Sequence, residues 1–246
     1  MAEPAKKMSA SLPFNAPPLD AVAYKARKPF PHQVFDNFLP ADIAEAAWAA
    51  FPKPNDPIWT SEGRNYKKEK VADKFEMTNF KAMPPTIQRA VEIINGPEFI
   101  DYLGELTGFD DLLPDMTFNG GGLNMVKPGG YLRTHADFNW SNDLQGYRTV
   151  NAILYMNKGW QPEWGGCLEL WEQDMSRIAE VVVPSFNRLA VFTTFSTSFH
   201  GYRPIKSPNG ETRNGINFYF YRKEAAPGIE RDPHKTYWRF DDGFDV

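Results

Sequence analysis

The stretch THADFNW, residues 134–140, sets a histidine and an aspartate two positions apart. In an extended strand, residues i and i+2 project from the same face. His135 and Asp137 would therefore offer an imidazole and a carboxylate side by side, enough for two adjacent positions on a metal ion. A third ligand has to come from elsewhere. The chain has four histidines. His32 follows a proline near the start of the fold, and His234 lies in the polar run ERDPHKTYW. His200 sits inside the apolar run TSFHGY, where a buried imidazole needs partners for its ring nitrogens.

Two imidazoles and one carboxylate leave three metal positions open, the arrangement of non-heme Fe(II) oxygenases. H-x-D alone is a weak signal. It gains weight from His200, 65 residues after His135, and from Arg213, 13 residues further on in ETRNGINFYFY. A guanidinium fork matches the two oxygens of a carboxylate. If Arg213 points inward, strand alternation carries Asn217 and Tyr219 inward with it.

These residues need a scaffold, and the composition supports one. The chain of 246 residues is 42% hydrophobic, 15% aromatic and 24% charged, with a net charge of −4. That is the profile of a soluble globular protein. The slight acidity argues against a nucleic-acid partner, and no apolar run reaches the roughly 18–20 residues of a membrane span. The N-terminus lacks the apolar region of a secretory signal, and the single cysteine, Cys167, excludes an intrachain disulfide. Both point to a reducing cytoplasm. Cys167, in GGCLELW, reads as a buried structural thiol.

Residues 1–28, rich in Ala, Pro and Lys, read as a mobile tail. HQVFDNFL (32–39) is strand-like, and ADIAEAAWAAF follows as a helix with Ile43, Ala47 and Ala50 on one face. Residues 52–82 hold charges and prolines, and RNYKKEKVADK (64–74) reads as a loop or lid. PTIQRAVEIIN and PEFIDYLGELTG are two short helices with Pro starts and Gly stops, burying Ile87, Val91, Ile94 and Phe99, Leu103, Leu106. From 117 to 222 the chain breaks into eight short β-branched and aromatic runs: GLNMV, YLRTHAD, TVNAILYM, CLELWE, IAEVVV, RLAVFTT, TSFHGYRPI and INFYFY. Such a count fits a double-sheet jelly roll. Helices before strands argue against a doubly wound α/β sheet. NGGGLN precedes a strand, so it is not a phosphate-cradling loop. The expected fold is α+β and mainly β: a double-stranded β-helix (jelly roll) with N-terminal supporting helices. The expected partition is a tail at 1–28, helical support and lid at 29–116, a catalytic core at 117–223 and a C-terminal tail at 224–246, with 29–246 one folded domain.

The blocks MVKPGGYLRTHADFNW, YRTVNAILYMNKGWQPEWGGCLELWEQD, PSFNRLAVFTTFSTSFHGYRP and RNGINFYFY, in that order, resemble the 2-oxoglutarate and Fe(II)-dependent oxygenase superfamily, in its prolyl-hydroxylase-like branch. FPHQVFDNFLP and FIDYLGELTGFDDLLPD resemble leading segments of bacterial members, so the likeness covers most of 29–223. It implies Fe(II) held by His135, Asp137 and His200, with 2-oxoglutarate and O₂ as cosubstrates. 2-Oxoglutarate would chelate the iron through its C1 carboxylate and keto oxygen. Arg213 and Tyr155 would hold its distal carboxylate. Asn151 would lie beside cosubstrate or substrate, and Asn217 near the iron-bound water or cosubstrate. The implied reaction is hydroxylation of an unactivated C–H with release of succinate and CO₂. Related halogenases replace the carboxylate ligand by a small residue, so Asp137 favours hydroxylation.

Two features depart from the pattern. Prolyl 4-hydroxylases have a tyrosine where this chain has Lys127 and Pro128, and Asn124 is a candidate for its polar contact. The spacing from His200 to Arg213 is lengthened by SPNGE, which a Pro-Asn-Gly turn can absorb. Arg133, Asn139, Trp140 and Arg148 flank the ligand strands as candidate substrate contacts. Phe138, Trp140, Trp164 and Trp171 are candidate water-excluding walls. A compact chain with a lid favours a small-molecule substrate, an amino acid or biosynthetic intermediate. The alternatives are a prolyl or other residue in a protein or peptide, and a metal-binding jelly roll of isomerase or sensor type, which has no use for a dicarboxylate clamp.

Overall fold

The computed structural model describes residues 12–59 and 70–240. The helices are α1 (Ala21–Ala26), α2 (Ala41–Ala49), α3 (Pro85–Ile94) and α4 (Pro97–Thr107). The strands are β1 (His32–Phe35), β2 (Val71–Met77), β3 (Leu113–Pro114), β4 (Gly122–Ala136), β5 (Trp140–Ser141) and β6 (Gly146–Tyr155). They continue as β7 (Leu168–Trp171), β8 (Ile178–Val182), β9 (Arg188–Thr193), β10 (His200–Tyr202), β11 (Arg213–Arg222) and β12 (Tyr237–Trp238).

The hydrogen-bonded order is β1-β9-β6-β11-β4-β10-β7-β8, with β2 and β12 also on β4. The long strand β4 turns the sheet back on itself. Its first part, Gly122–Val126, pairs with β11, while Leu132 and His135 pair with β10. Between them the chain bends at Lys127-Pro-Gly-Gly. A Cβ on Gly130 would lie 2.8 Å from the Ala72 carbonyl oxygen, so the bend requires glycine there. The sequence divides GLNMV from YLRTHAD; the structure joins them into one strand shared by two facing layers. The result is the expected jelly roll.

Strand alternation sorts the two faces of the larger layer. Leu123, Met125, Val150, Ala152, Leu154, Ile216, Phe218 and Phe220 face the helices and meet Ile87, Val91, Ile94, Phe99 and Leu103. The α3 and α4 stripes are thus the predicted ones. The opposite positions, among them Ile153, Tyr155 and Phe192, pack between the layers with Leu168, Leu170 and Val182. Toward one end this inner space becomes polar.

Three expectations need correction. Residues 12–28 are not a loose tail: Phe14 stacks on Phe38 at 5.1 Å, and the buried Tyr24 hydroxyl bonds to Thr193 Oγ1 at 2.9 Å. Asp20 caps α1 by accepting from the Ala23 N–H, a start signal that the proline-rich surroundings obscure. Residues 224–240 are not a tail either, because β12 pairs with the end of β4. In the lid segment, 60–69 lie outside the described residues, but 71–77 form β2. No helix among the described residues is long and apolar enough to cross a membrane.

Candidate active site

His135 and Asp137 stand at the end of β4 and just beyond it. His200 opens β10 and is the direct cross-strand partner of His135. Pairing therefore brings the two imidazoles together, with ring centroids 4.5 Å apart. One ligand atom from each of His135, Asp137 and His200 lies within 4.8 Å of the others. Each His donates Nδ1–H to a backbone carbonyl, His135 to Arg133 at 2.8 Å and His200 to Ser198 at 2.9 Å. That fixes the tautomer and leaves both Nε2 lone pairs facing Asp137, at 3.4 and 3.5 Å. The donor set fits a divalent transition metal with open positions.

The electrostatics agree. Burial alone would raise the Asp137 carboxyl, but Arg148 and the two imidazoles outweigh it and hold it well below the usual carboxylate range. Burial, reinforced by His135, lowers His200 to about 4, so at neutral pH its Nε2 is an acceptor. Arg148 is itself buried. It donates to Asp137 Oδ2 at 3.1 Å and to Asn151 Oδ1 at 2.7 Å, and Asn151 donates to the same carboxylate oxygen at 2.8 Å. The guanidinium lies 3.4 Å from the Tyr219 ring centre. These contacts hold Asp137 from behind.

The ligands open into a cavity of about 250 Å³. Arg213 lies on its wall, 5% exposed, with no carboxylate paired to it among the described residues. Its Nε donates to the Gly166 carbonyl at 2.6 Å and its Nη2 to the Tyr155 hydroxyl at 3.3 Å. A buried guanidinium without a counter-ion is a ready anchor for the far carboxylate of a diacid. Burial pushes the Tyr155 phenol up to about 12, so it stays a neutral donor. Asn151, Asn217, Tyr219 and Arg148 also line the cavity.

Several candidates lie elsewhere. Tyr155 reaches the site through its bond to Arg213, and its ring packs between the layers. Asn139 does not face the cavity: its amide donates to the carbonyls of Glu230 and Asp232 and accepts from the His234 N–H, which pins the C-terminal segment. The Trp140 indole bonds to Asn142 and packs on Tyr147. The Arg133 guanidinium lies over Phe240. Of the proposed walls, Phe138 lines the cavity, whereas Trp164 packs on Trp160 and Trp171 bonds to Glu169. Lys127 lies over Phe75, away from the site. Asn124 does line the cavity, and its Nδ2 donates one of its two hydrogens to the Gly122 carbonyl. Its Oδ1 has no hydrogen-bond partner.

The sequence reading missed Lys74 and Glu76 of β2, an ion pair at 2.8 Å on the cavity wall. It also missed Tyr202, whose position two residues after His200 was the available signal. Trp238 of β12 stacks on His135 at 4.9 Å and 28°, and nothing in the local sequence announces it.

Residues 121–221 match the family model of the 2OG-Fe(II) oxygenase superfamily. A curated relative, prolyl 3-hydroxylase OGFOD1 of Mus musculus, is 30% identical over 104 residues, covering 38% of this chain and 19% of that protein. The chain thus spans about a fifth of that relative's length. Among solved structures, a Pseudomonas putida prolyl-4-hydroxylase aligns with a TM-score of 0.54 at 22% identity, covering 78% of this chain and 92% of the other. A Trichoplax adhaerens prolyl hydroxylase, solved with a hypoxia inducible factor peptide fragment, aligns with a TM-score of 0.57 at 15% identity, covering 78% and 84%. HygX of Streptomyces hygroscopicus, solved with nickel, 2-oxoglutarate and hygromycin B, aligns at 0.52 and 11%, covering 85% and 92%.

The segment that matches the 2OG-Fe(II) oxygenase superfamily model, residues 121–221, carries His135, Asp137, His200 and Arg213.

Proposed function

We propose that this protein hydroxylates a prolyl residue in a protein or peptide. Fe(II) held by His135, Asp137 and His200, with 2-oxoglutarate and O₂, supplies an oxidant for an unactivated C–H, with succinate and CO₂ as coproducts. The chain's own residues do the rest. Arg148 and Asn151 orient Asp137. Arg213, backed by the neutral Tyr155 hydroxyl, anchors the diacid. Phe138, Tyr219 and Trp238 shield the space above the ligands from water. The observation that carries the reading is that unpaired, buried arginine in the cavity of the triad.

The choice of a prolyl residue rests on the prolyl 3-hydroxylase likeness over the core and on the mouth itself. A cavity of about 250 Å³ that must also hold a five-carbon diacid leaves room for one residue-sized group. Its aromatic rim suits an apolar ring. The second reading, a free small molecule, is favoured by the C-terminal segment pinned across the mouth by Asn139, which narrows access for a polypeptide.

The first test is the visible spectrum of the anaerobic protein with Fe(II) and then 2-oxoglutarate. Chelation gives a weak charge-transfer band, absent in His135→Ala and requiring more cosubstrate in Arg213→Ala. Iron binding without a band would leave a metal-binding jelly roll of another chemistry. Succinate release is then compared between proline-containing peptides and free amino acids, with the gain of one oxygen atom followed by mass. Turnover restricted to free small molecules would replace the prolyl reading by the second one.

A further inference from the structure

Tyr202 is two residues beyond His200 on β10, and both line the cavity. One strand repeat separates them, about 7 Å along the chain. That step leads from the metal ligands toward Arg213, whose guanidinium lies 4.1 Å from the Tyr202 ring centre. The ring is wedged against Val126, Trp160 and Ile205, which fixes the direction of the phenol. The hydroxyl is buried and has no hydrogen-bond partner. A buried hydroxyl left unpaired costs free energy, and native proteins rarely leave one without a reason.

The surroundings say what would satisfy it. The hydroxyl is a donor, since a phenol keeps its proton at neutral pH. A group bound here would be met by that proton and by the unpaired Arg213 charge. The other arginine and the lysine on the wall are already answered, Arg148 by Asp137 at 3.1 Å and Lys74 by Glu76 at 2.8 Å. Of the two unpartnered side-chain atoms lining the cavity among the described residues, Asn124 Oδ1 is an acceptor and the Tyr202 hydroxyl can donate. A carboxylate, which only accepts, matches the unpartnered Tyr202 hydroxyl and not the unpartnered Asn124 oxygen.

We propose that Tyr202 is a cosubstrate-binding residue, donating its hydroxyl proton to the distal carboxylate that Arg213 anchors. This rests on the 2-oxoglutarate reading above. It assigns to Tyr202, whose ring faces the cavity, a share of the contact that sequence resemblance gives to Tyr155. Tyr155 then acts mainly by holding Arg213.

The test is calorimetric titration of the full chain loaded anaerobically with Fe(II), using 2-oxoglutarate and 2-oxobutyrate, which lacks the distal carboxylate. Wild-type protein binds the diacid more tightly. Tyr202→Phe loses roughly tenfold in affinity for 2-oxoglutarate, the order expected for one hydrogen bond to a charged group. It keeps its affinity for 2-oxobutyrate, and its ligand-free melting temperature is unchanged or raised, because the lost hydroxyl had no partner. Equal losses for both acids, or wild-type affinity for 2-oxoglutarate, would overturn the assignment. A wild-type protein that binds both acids equally would overturn the cosubstrate reading itself, and Tyr202 with it.

Discussion

Asp137 illustrates how much of a metal ligand's behaviour is set by groups that do not touch the metal. Arg148 and Asn151 both bond to its Oδ2, which also faces His200, while Oδ1 is turned toward the His135 imidazole. Arg148→Met removes a buried cation and leaves the carboxylate half-held. Metal affinity in a chelator competition should fall on the order of tenfold, as loss of outer partners of metal ligands generally does. His200 gives a pH dependence. The unfolded histidine titrates near 6.5 and the folded one at about 4, so between those values only the unfolded chain takes up the proton. The metal-free protein should lose stability as pH falls through that window, and His200→Gln should flatten the slope of melting temperature against pH. At this scale the triad was legible because histidines are scarce here and two-residue spacing shares a face. Tyr202 was not, because a tyrosine within SFHGYRP reads as core packing, and its unpaired hydroxyl exists only in three dimensions.

Among the elements, β2 was hidden for a physical reason. Its apolar residues Phe75 and Met77 face the helix layer, while Lys74 and Glu76 face inward. Charges in a run usually mark a solvated surface, but here the interior is a polar cavity and the usual pattern is inverted. Neither the bend that makes β4 one strand nor the pinning of the C-terminal segment has a local signature, since both depend on partners far along the chain. Gly122, at the junction of β2 and β4, sits at φ +74, and a Cβ there would lie 2.5 Å from the Met77 carbonyl oxygen. Gly122→Ala should destabilise by about 2 kcal/mol or more, combining left-handed strain with a backbone clash. Denaturant unfolding measures it. Asn139→Ala removes three hydrogen bonds to residues 230–234. Amide exchange should quicken there and in β12, with smaller change in β9 or β11.

For the molecule as a whole, the order of helices before the main run of strands was enough to anticipate a jelly roll with helical support. Its edges were misjudged because proline-rich and polar composition was taken for looseness. Phe14 shows the cost of that inference: it lies in an aromatic cluster with Phe38, Phe99 and Tyr102, so the segment before α1 helps to close the helix layer. Phe14→Ala should cost about 3–5 kcal/mol in chemical denaturation, in the range for truncating a buried aromatic. If residues 12–28 were a loose arm, the change would be near zero.

The stacking of Trp238 on His135 has an optical side. An indole 4.9 Å from an imidazole ligand lies close enough for an open-shell metal ion on that ligand to quench its emission. The chain holds seven tryptophans, and among the described residues this is the one stacked on a triad residue. The protein therefore carries its own fluorescent gauge of iron loading, and Trp238→Phe should erase most of the signal while leaving the iron in place.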